Sequence, residues 1–211
     1  TIFYGAFTAK GVSGGFIGVL IQGLRRGAFS NEAGVGSASI AHAAVKTTFP
    51  ASEGLVALLE PFIDTVVICT MTALALVITN QITVGSSISD AEGVLLTARA
   101  LESGISWFPY VLSFAVILFA FSSMISWSYY GYQAWSFLFG RSKKMEYLYK
   151  SIFCVFVIIG GAASLTSVTH FSDAMIFAML VPNMIGLVIL APKVLDELKR
   201  YETYILSLIH I

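Results

Sequence analysis

Five apolar stretches organise the 211-residue chain. The first runs over about residues 2–24 and is interrupted at Lys10-Gly11-Val12-Ser13-Gly14-Gly15. The others cover about 55–79, 107–139, 147–165 and 174–191, the last ending at Ala191-Pro192. About 20 helical residues cross a hydrocarbon layer roughly 30 Å thick, so the pattern predicts about five membrane helices. The connections are polar. Residues 80–106 carry Asp90, Glu92, Arg99 and Glu102, and 166–173 form a short loop. One connection differs in kind: 25–41, Arg-Arg-Gly-Ala-Phe-Ser-Asn-Glu-Ala-Gly-Val-Gly-Ser-Ala-Ser-Ile-Ala, is polar and glycine-punctuated. Irregular backbone beside membrane helices persists only where protein or water satisfies its polar groups. That segment is expected to be a working part.

Composition sharpens the class. The chain is 57% hydrophobic and 11% charged, with a mean hydropathy of +0.84. Soluble domains carry roughly 25% charged residues, so the fold class is all-α, a polytopic transmembrane helical protein. Zero net charge and the lack of a basic–aromatic stripe speak against a nucleic-acid partner. Cys69 and Cys154 sit inside apolar runs without ligand spacing and read as small residues of lipid-embedded helices, not a disulfide or metal site. The chain has neither an initiator Met nor a signal-peptide pattern at Thr1, and opening inside an apolar stretch it reads as a fragment.

Charge sets the direction of the spans. Arg25, Arg26 and Lys46 follow the first span; Arg141, Lys143, Lys144 and Lys150 surround the third turn; Lys193, Lys199 and Arg200 follow the last. The positive-inside rule then puts 25–50, 140–150 and 192–200 in the cytoplasm.

Three places can carry chemistry. At the Lys10–Gly15 break, Gly11, Gly14 and Gly15 each lower helix propensity by about 1 kcal/mol relative to Ala. Such a break either binds a ligand through freed backbone groups or serves close packing, since Gly14 and Gly18 form a GxxxG step, as do Gly23 and Gly27. In the third span, Ser122 and Ser123 offer oxygens to a hard cation, and Trp127, on the face of Ser123, can wall off a small ligand. The plainer alternative is that these serines back-bond to the preceding turn. Glu60 and Asp64, four apart around Pro61, either pair with Lys46, Arg25 or Arg26, or take part in gating or proton transfer. Asp173 reads as a helix-start acid, and His42 and His170 as lone structural imidazoles. The GxG in 33–37 lacks both the strand and the lysine of a nucleotide loop.

Taken together, Ser13-Gly14-Gly15-Phe16, then 26–38 (Arg-Gly-Ala-Phe-Ser-Asn-Glu-Ala-Gly-Val-Gly-Ser-Ala), Glu53-Gly54-Leu55, Phe62-Ile63-Asp64-Thr65 and Cys69-Thr70-Met71-Thr72 closely resemble the alanine or glycine:cation symporter family of bacteria and archaea. The resemblance extends less tightly to about Lys199; Ser39 stands where many relatives have Pro. It implies a LeuT-like inverted-repeat fold of ten core helices, of which this chain resembles helices 6–10. It implies a multi-pass protein of a prokaryotic inner membrane that is not an enzyme. Sodium is implied as the coupling ion, held by Ser122 and Ser123, with no other cofactor. Substrate contacts are implied at Ser13, Gly14, Gly15, Phe16, Ser123 and Trp127. Asn31 and Glu32, at the cytoplasmic mouth, are expected to gate. The partners are then an alanine- or glycine-type substrate, sodium, the bilayer and the missing N-terminal helices, without which residues 1–205 are expected to be inactive. The tail 206–211, Leu-Ser-Leu-Ile-His-Ile, resembles the translation of a transposase-adaptor sequence and reads as non-native. The alternatives are proton coupling, or a channel or scaffold without coupled transport. An intramembrane protease would need a paired-Asp, Ser–His or metal-binding His motif, which Asp64, Asp173 and His42 do not supply.

Overall fold

The computed structural model describes residues 16–82 and 93–209, and every regular element in those stretches is helical. The break at 10–15 therefore lies outside the described residues. In chain order the elements are α1 (Phe16–Asn31), α2 (Ser37–His42), α3 (Pro50–Ala57), α4 (Leu59–Pro61), a π-helical segment (Phe62–Ile68), α5 (Cys69–Ile78), α6 (Gly93–Glu102), α7 (Phe108–Phe139), α8 (Lys143–Ala162) and α9 (Leu165–Ile209). Four stretches are long and apolar enough to cross a membrane: Pro50–Ile78, Phe108–Phe139, Lys143–Ala162 and Leu165–Leu208.

The first of these is segmented for a local reason. Pro50 stands in the first turn, where its missing N–H breaks no bond. Pro61, further along, withholds the N–H that the Ala57 carbonyl would accept in a regular helix. Directly after it the backbone adopts the wider π register for seven residues. Such insertions cluster at functional sites, and this one carries Asp64 and Thr65.

The last helix corrects three expectations. Residues 166–173 are helix, not loop, because Ser164 accepts the Ser167 N–H at 3.3 Å and Thr169 donates to the Leu165 carbonyl at 2.8 Å. The hydroxyls that made the stretch look like a connection satisfy the helix start instead. Asp173 thus stands well inside α9, buried at 4% exposure, and does not begin a helix. Nor does Pro192 end one: α9 runs through Pro182 and Pro192 for 45 residues. At about 1.5 Å per residue that is roughly 67 Å, about twice the hydrocarbon thickness. Beyond Pro192 the helix becomes polar, with an Arg200–Glu197 pair at 3.4 Å. There it receives Phe49, which stacks on Tyr204 at 4.5 Å and lies under Arg200.

The chain forms two compact units, residues 1–66 with 175–211, and residues 67–174. In the first, Val35, Ser37 and Ile176 are buried. In the second, α6 packs on α5 and α7, and α8 packs on α7. Tyr149 of α8 donates to the Ser128 carbonyl at 3.0 Å and lies directly over Gly131, where a Cβ would collide with its hydroxyl. Tyr132, Trp135 and Phe153 gather around the same ring. The outer faces carry large exposed apolar side chains, Phe119, Ile158 and Val188 among them, as befits helices solvated by lipid. Cys69 and Cys154 are free and exposed.

Candidate functional site

The glycine-punctuated segment folds into a tight knot within the first unit. Helix α1 ends at Asn31, and the chain reverses through Glu32, Gly34 and Gly36, all at positive φ (54°, 81° and 110°). The Asn31 carboxamide oxygen accepts the Ala33 N–H at 2.9 Å, and the Val35 N–H returns to the Glu32 carbonyl at 3.1 Å. Glu32 itself accepts from the Ser37 hydroxyl, which is fully buried at 0% exposure beside Val35 at 1%. No other side chains among the described residues are so enclosed.

Outside attachments hold the knot from two directions. The π segment supplies one: Ser30 donates to the Asp64 carboxylate, and Asn31 donates to Thr65 Oγ1 at 2.9 Å. Helix α9 supplies the other. Asn183, next to Pro182, donates to the Gly34 carbonyl at 2.7 Å, and a Cβ at Gly36 would come within 3.3 Å of its carboxamide. A carbonyl left without a partner there would cost about 1–3 kcal/mol. Asn31 and Glu32, the expected gating pair, are thus the first turn of a loop fastened to two other elements.

Residue spacing missed Asn183 altogether. The signal available was a carboxamide inside an apolar run, which in membrane helices commonly marks an interhelical hydrogen bond. Asp64 was visible as an intramembrane acid, and its neighbour is the Ser30 hydroxyl.

In the second unit, α7 carries Ser122, Ser123 and Trp127. Of its other serines, Ser128 leaves its hydroxyl without a hydrogen bond among the described residues, while three behave as helix serines usually do: Ser113 donates to the Pro109 carbonyl at 2.8 Å, Ser126 to the Ser122 carbonyl at 3.1 Å, and Ser136 to the Gln133 carbonyl at 2.9 Å. Ser122 and Ser123 do not. Among the described residues neither hydroxyl makes a hydrogen bond, Ser122 is exposed and Ser123 half-buried. Trp127, one turn on, is half-buried and meets Tyr130 edge to face at 6.0 Å. Ser13, Gly14 and Gly15 lie outside the described residues, as does the side chain of Phe16.

A third constellation corrects the picture of His42 as a lone imidazole. Its Nδ1 lies 2.7 Å from Glu53 and its Nε2 3.3 Å from Glu60. The Glu53 hydrogen bond raises its pKa above the ordinary 6.5, against a smaller opposing effect of burial and with Glu60 adding to the rise. Glu60, expected beside a lysine or arginine, thus has an imidazole as a neighbour. The trio is an ion-pair arrangement rather than a metal-ligand set.

Long apolar helices, a knotted loop beside them and unclaimed hydroxyls inside one span define an all-α integral membrane protein of several spans. The chain belongs to the sodium:alanine symporter family, whose model matches residues 1–207. It is 38% identical over 203 residues to the sodium/alanine symporter AgcS of Methanococcus maripaludis, covering 96% of this chain and 44% of that protein. It is 35% identical over 199 residues to the probable sodium/glutamine symporter GlnT of Bacillus subtilis, covering 93% and 40%. The putative sodium/proton-dependent alanine carrier protein YrbD of the same bacterium is 31% identical, covering 95% and 44%. The chain therefore spans less than half the length of these relatives. No solved structure gives a significant match. The chain is thus a multi-pass membrane segment of a transporter family of prokaryotic cell membranes.

Proposed function

We propose that the protein of which this chain is part carries a small neutral amino acid, alanine or glycine, into the cell together with sodium. The observation that carries this reading is the pair of adjacent, backbone-independent hydroxyls on α7 in a chain of this family. A hard cation takes oxygen ligands, and Ser122 and Ser123 are adjacent hydroxyls of α7 that the helix does not use, whereas the open Ser128 hydroxyl stands apart from them. The same reading assigns substrate contacts to Ser123 and Trp127 and to Ser13, Gly14, Gly15 and Phe16. The basic residues favour a cytoplasmic side for segments 25–50, 140–150 and 192–200, and on that side the knot at 30–37 is the inner gate, in which Asn31 and Glu32 reorganise as the site opens inward.

The energetics suffice for concentrative uptake. A tenfold inward sodium gradient supplies about 1.4 kcal/mol and a 100 mV potential about 2.3 kcal/mol per charge. Together these support roughly 500-fold accumulation of a neutral solute. Among the relatives, the names of the symporter at 38% identity and of the putative carrier at 31% point to alanine, and that of the probable symporter at 35% to glutamine. A second reading, proton coupling, draws on the name of the sodium/proton-dependent relative. The test is uptake of radiolabelled alanine by cells expressing the full-length protein, in sodium or choline buffer at fixed pH, with glycine, serine and glutamine competing. Saturable uptake against a gradient that disappears in choline is the expected result. Sodium-independent uptake that follows a pH gradient would support proton coupling, and uptake that never exceeds equilibrium would mean a channel.

A further inference from the structure

The knot at 30–37 is fastened upstream by Ser30–Asp64 and Asn31–Thr65. Its downstream continuation, α2, ends at His42, which reaches the same 50–68 stretch through Glu53 and Glu60. The two carboxylates lie on opposite sides of the turn at Leu58, one on α3 and one on α4, and the ring bridges them. They are the charged groups that face the ring among the described residues, and α2 carries no other charge. We propose that His42, Glu53 and Glu60 form a proton-operated latch: with the imidazole doubly protonated, both ring N–H groups donate to carboxylates and hold the end of α2 against the α3–α4 turn; loss of one proton removes one donor and the positive charge, and α2 loosens.

The geometry makes the two attachments unequal. The Glu53 contact is short and shielded, both side chains being about one-fifth exposed, whereas Glu60 is 59% exposed and its contact is longer. Glu53 is therefore the anchor and Glu60 the arm that senses the charge. Only the doubly protonated ring satisfies both carboxylates, because a neutral imidazole donates from one nitrogen alone. The direction follows from linkage. The ring's pKa is raised in the folded protein by these partners, so its contribution is complete below 6.5 and is lost as pH rises through the folded value. The latch is shut at acidic pH and opens on the alkaline side. It concerns the loop's attachment and stands whether or not the protein transports alanine.

The backbone at the end of α2 provides the readout. Ala43, Ala44 and Val45 donate to the carbonyls of Ser39, Ala41 and His42, so their amides exchange when this turn opens. Hydrogen exchange would be measured on the full-length protein in nanodiscs between pH 6.0 and 8.5, corrected for intrinsic rates and referred to α8. Histidine-selective NMR would follow the His42 midpoint in the same sample, with the signal assigned by its loss in His42→Gln. Protection of 43–45 falls at least about threefold across the range, with the midpoint of the His42 titration. In His42→Gln it no longer depends on pH. Glu53→Gln lowers the His42 midpoint more than Glu60→Gln does. Unchanged wild-type protection, a pH dependence that survives His42→Gln, or a His42 midpoint at or below 6.5 would each overturn the latch. Uptake is not the readout, so failure of the transport reading leaves the result interpretable.

Discussion

The knot at 30–37 and the serine stretch of α7 are both polar sites in an apolar chain, yet they use polarity in opposite ways. In the knot nearly every polar group is engaged: Ser30, Asn31, Glu32, Gly34 and Ser37 each have a hydrogen-bond partner, and Val35 and Ser37 are sealed from solvent. On α7 the adjacent Ser122 and Ser123 hydroxyls are left open while those of Ser113 and Ser126 back-bond. A fully satisfied network fixes one geometry and changes only as a unit. An unsatisfied pair of oxygens is instead available to a ligand. Under the proposed function the difference separates a mechanical part from a binding part, and mutations should separate them the same way.

The sharpest break is at Gly36. Its φ of 110° is a conformation that L-residues rarely adopt, and Asn183 crowds the space a side chain would fill. Gly36→Ala is expected to destabilise the protein by about 1–3 kcal/mol, and Gly34→Ala, where the nearest side-chain atoms stand off at 3.8 Å, by about 1–2 kcal/mol. Gly54→Ala is the control, since it lies inside α3 with open space around it and should stabilise by up to about 1 kcal/mol. Thermal unfolding in nanodiscs, followed by tryptophan fluorescence, measures all three. If Gly36→Ala unfolds with the Gly54→Ala protein, the knot is not strained as described.

Next in size is the long-range fastening. Asn183→Leu leaves the Gly34 carbonyl without its donor, and Ser37→Ala removes the buried hydroxyl that donates to half-buried Glu32. Each should cost about 1–3 kcal/mol. Because both act on one network, the double variant should cost less than the sum. Strict additivity would mean that the α9 attachment and the internal Ser37–Glu32 bond are independent, and would dissolve the idea of a single knot.

These contacts also mark what the chain text discloses. Helices α7 and α8 were legible because an apolar run long enough to span has few alternatives, but α8 begins at Lys143, ahead of that run, where Ser142 caps it by accepting the Met145 N–H. The polar text at 166–173 misled because a hydroxyl that bonds its own helix looks, in sequence, like one that bonds water. Pro192 misled because α9 is long enough to carry the missing bond. In the site, the glycines announced a special backbone but not its partners. Asn183 lies 149 residues from Gly34, and no local spacing encodes that. The π register after Pro61 likewise needs the three-dimensional attachment of Asp64 and Thr65 to Ser30 and Asn31 to acquire meaning.

The smallest expected change in stability is the most informative about function. Ser122→Ala and Ser123→Ala remove hydroxyls that make no hydrogen bond among the described residues, so each should alter stability by less than about 0.5 kcal/mol. Ser126→Ala, which removes only a back-bond to the Ser122 carbonyl, should be equally mild. The three variants then part company in sodium dependence. If the open hydroxyls are ion ligands, the sodium concentration for half-maximal alanine uptake should rise about tenfold or more for Ser122→Ala and Ser123→Ala, a loss of about 1.4 kcal/mol in ion binding, and stay unchanged for Ser126→Ala. Ser123→Ala should in addition raise the alanine KM at saturating sodium, because that oxygen is assigned to both ligands, whereas Ser122→Ala should not. Equal behaviour of all three variants would mean that the openness of Ser122 and Ser123 has no bearing on the ion, and the contrast between a satisfied gate and an unsatisfied site would lose its functional half while keeping its structural one.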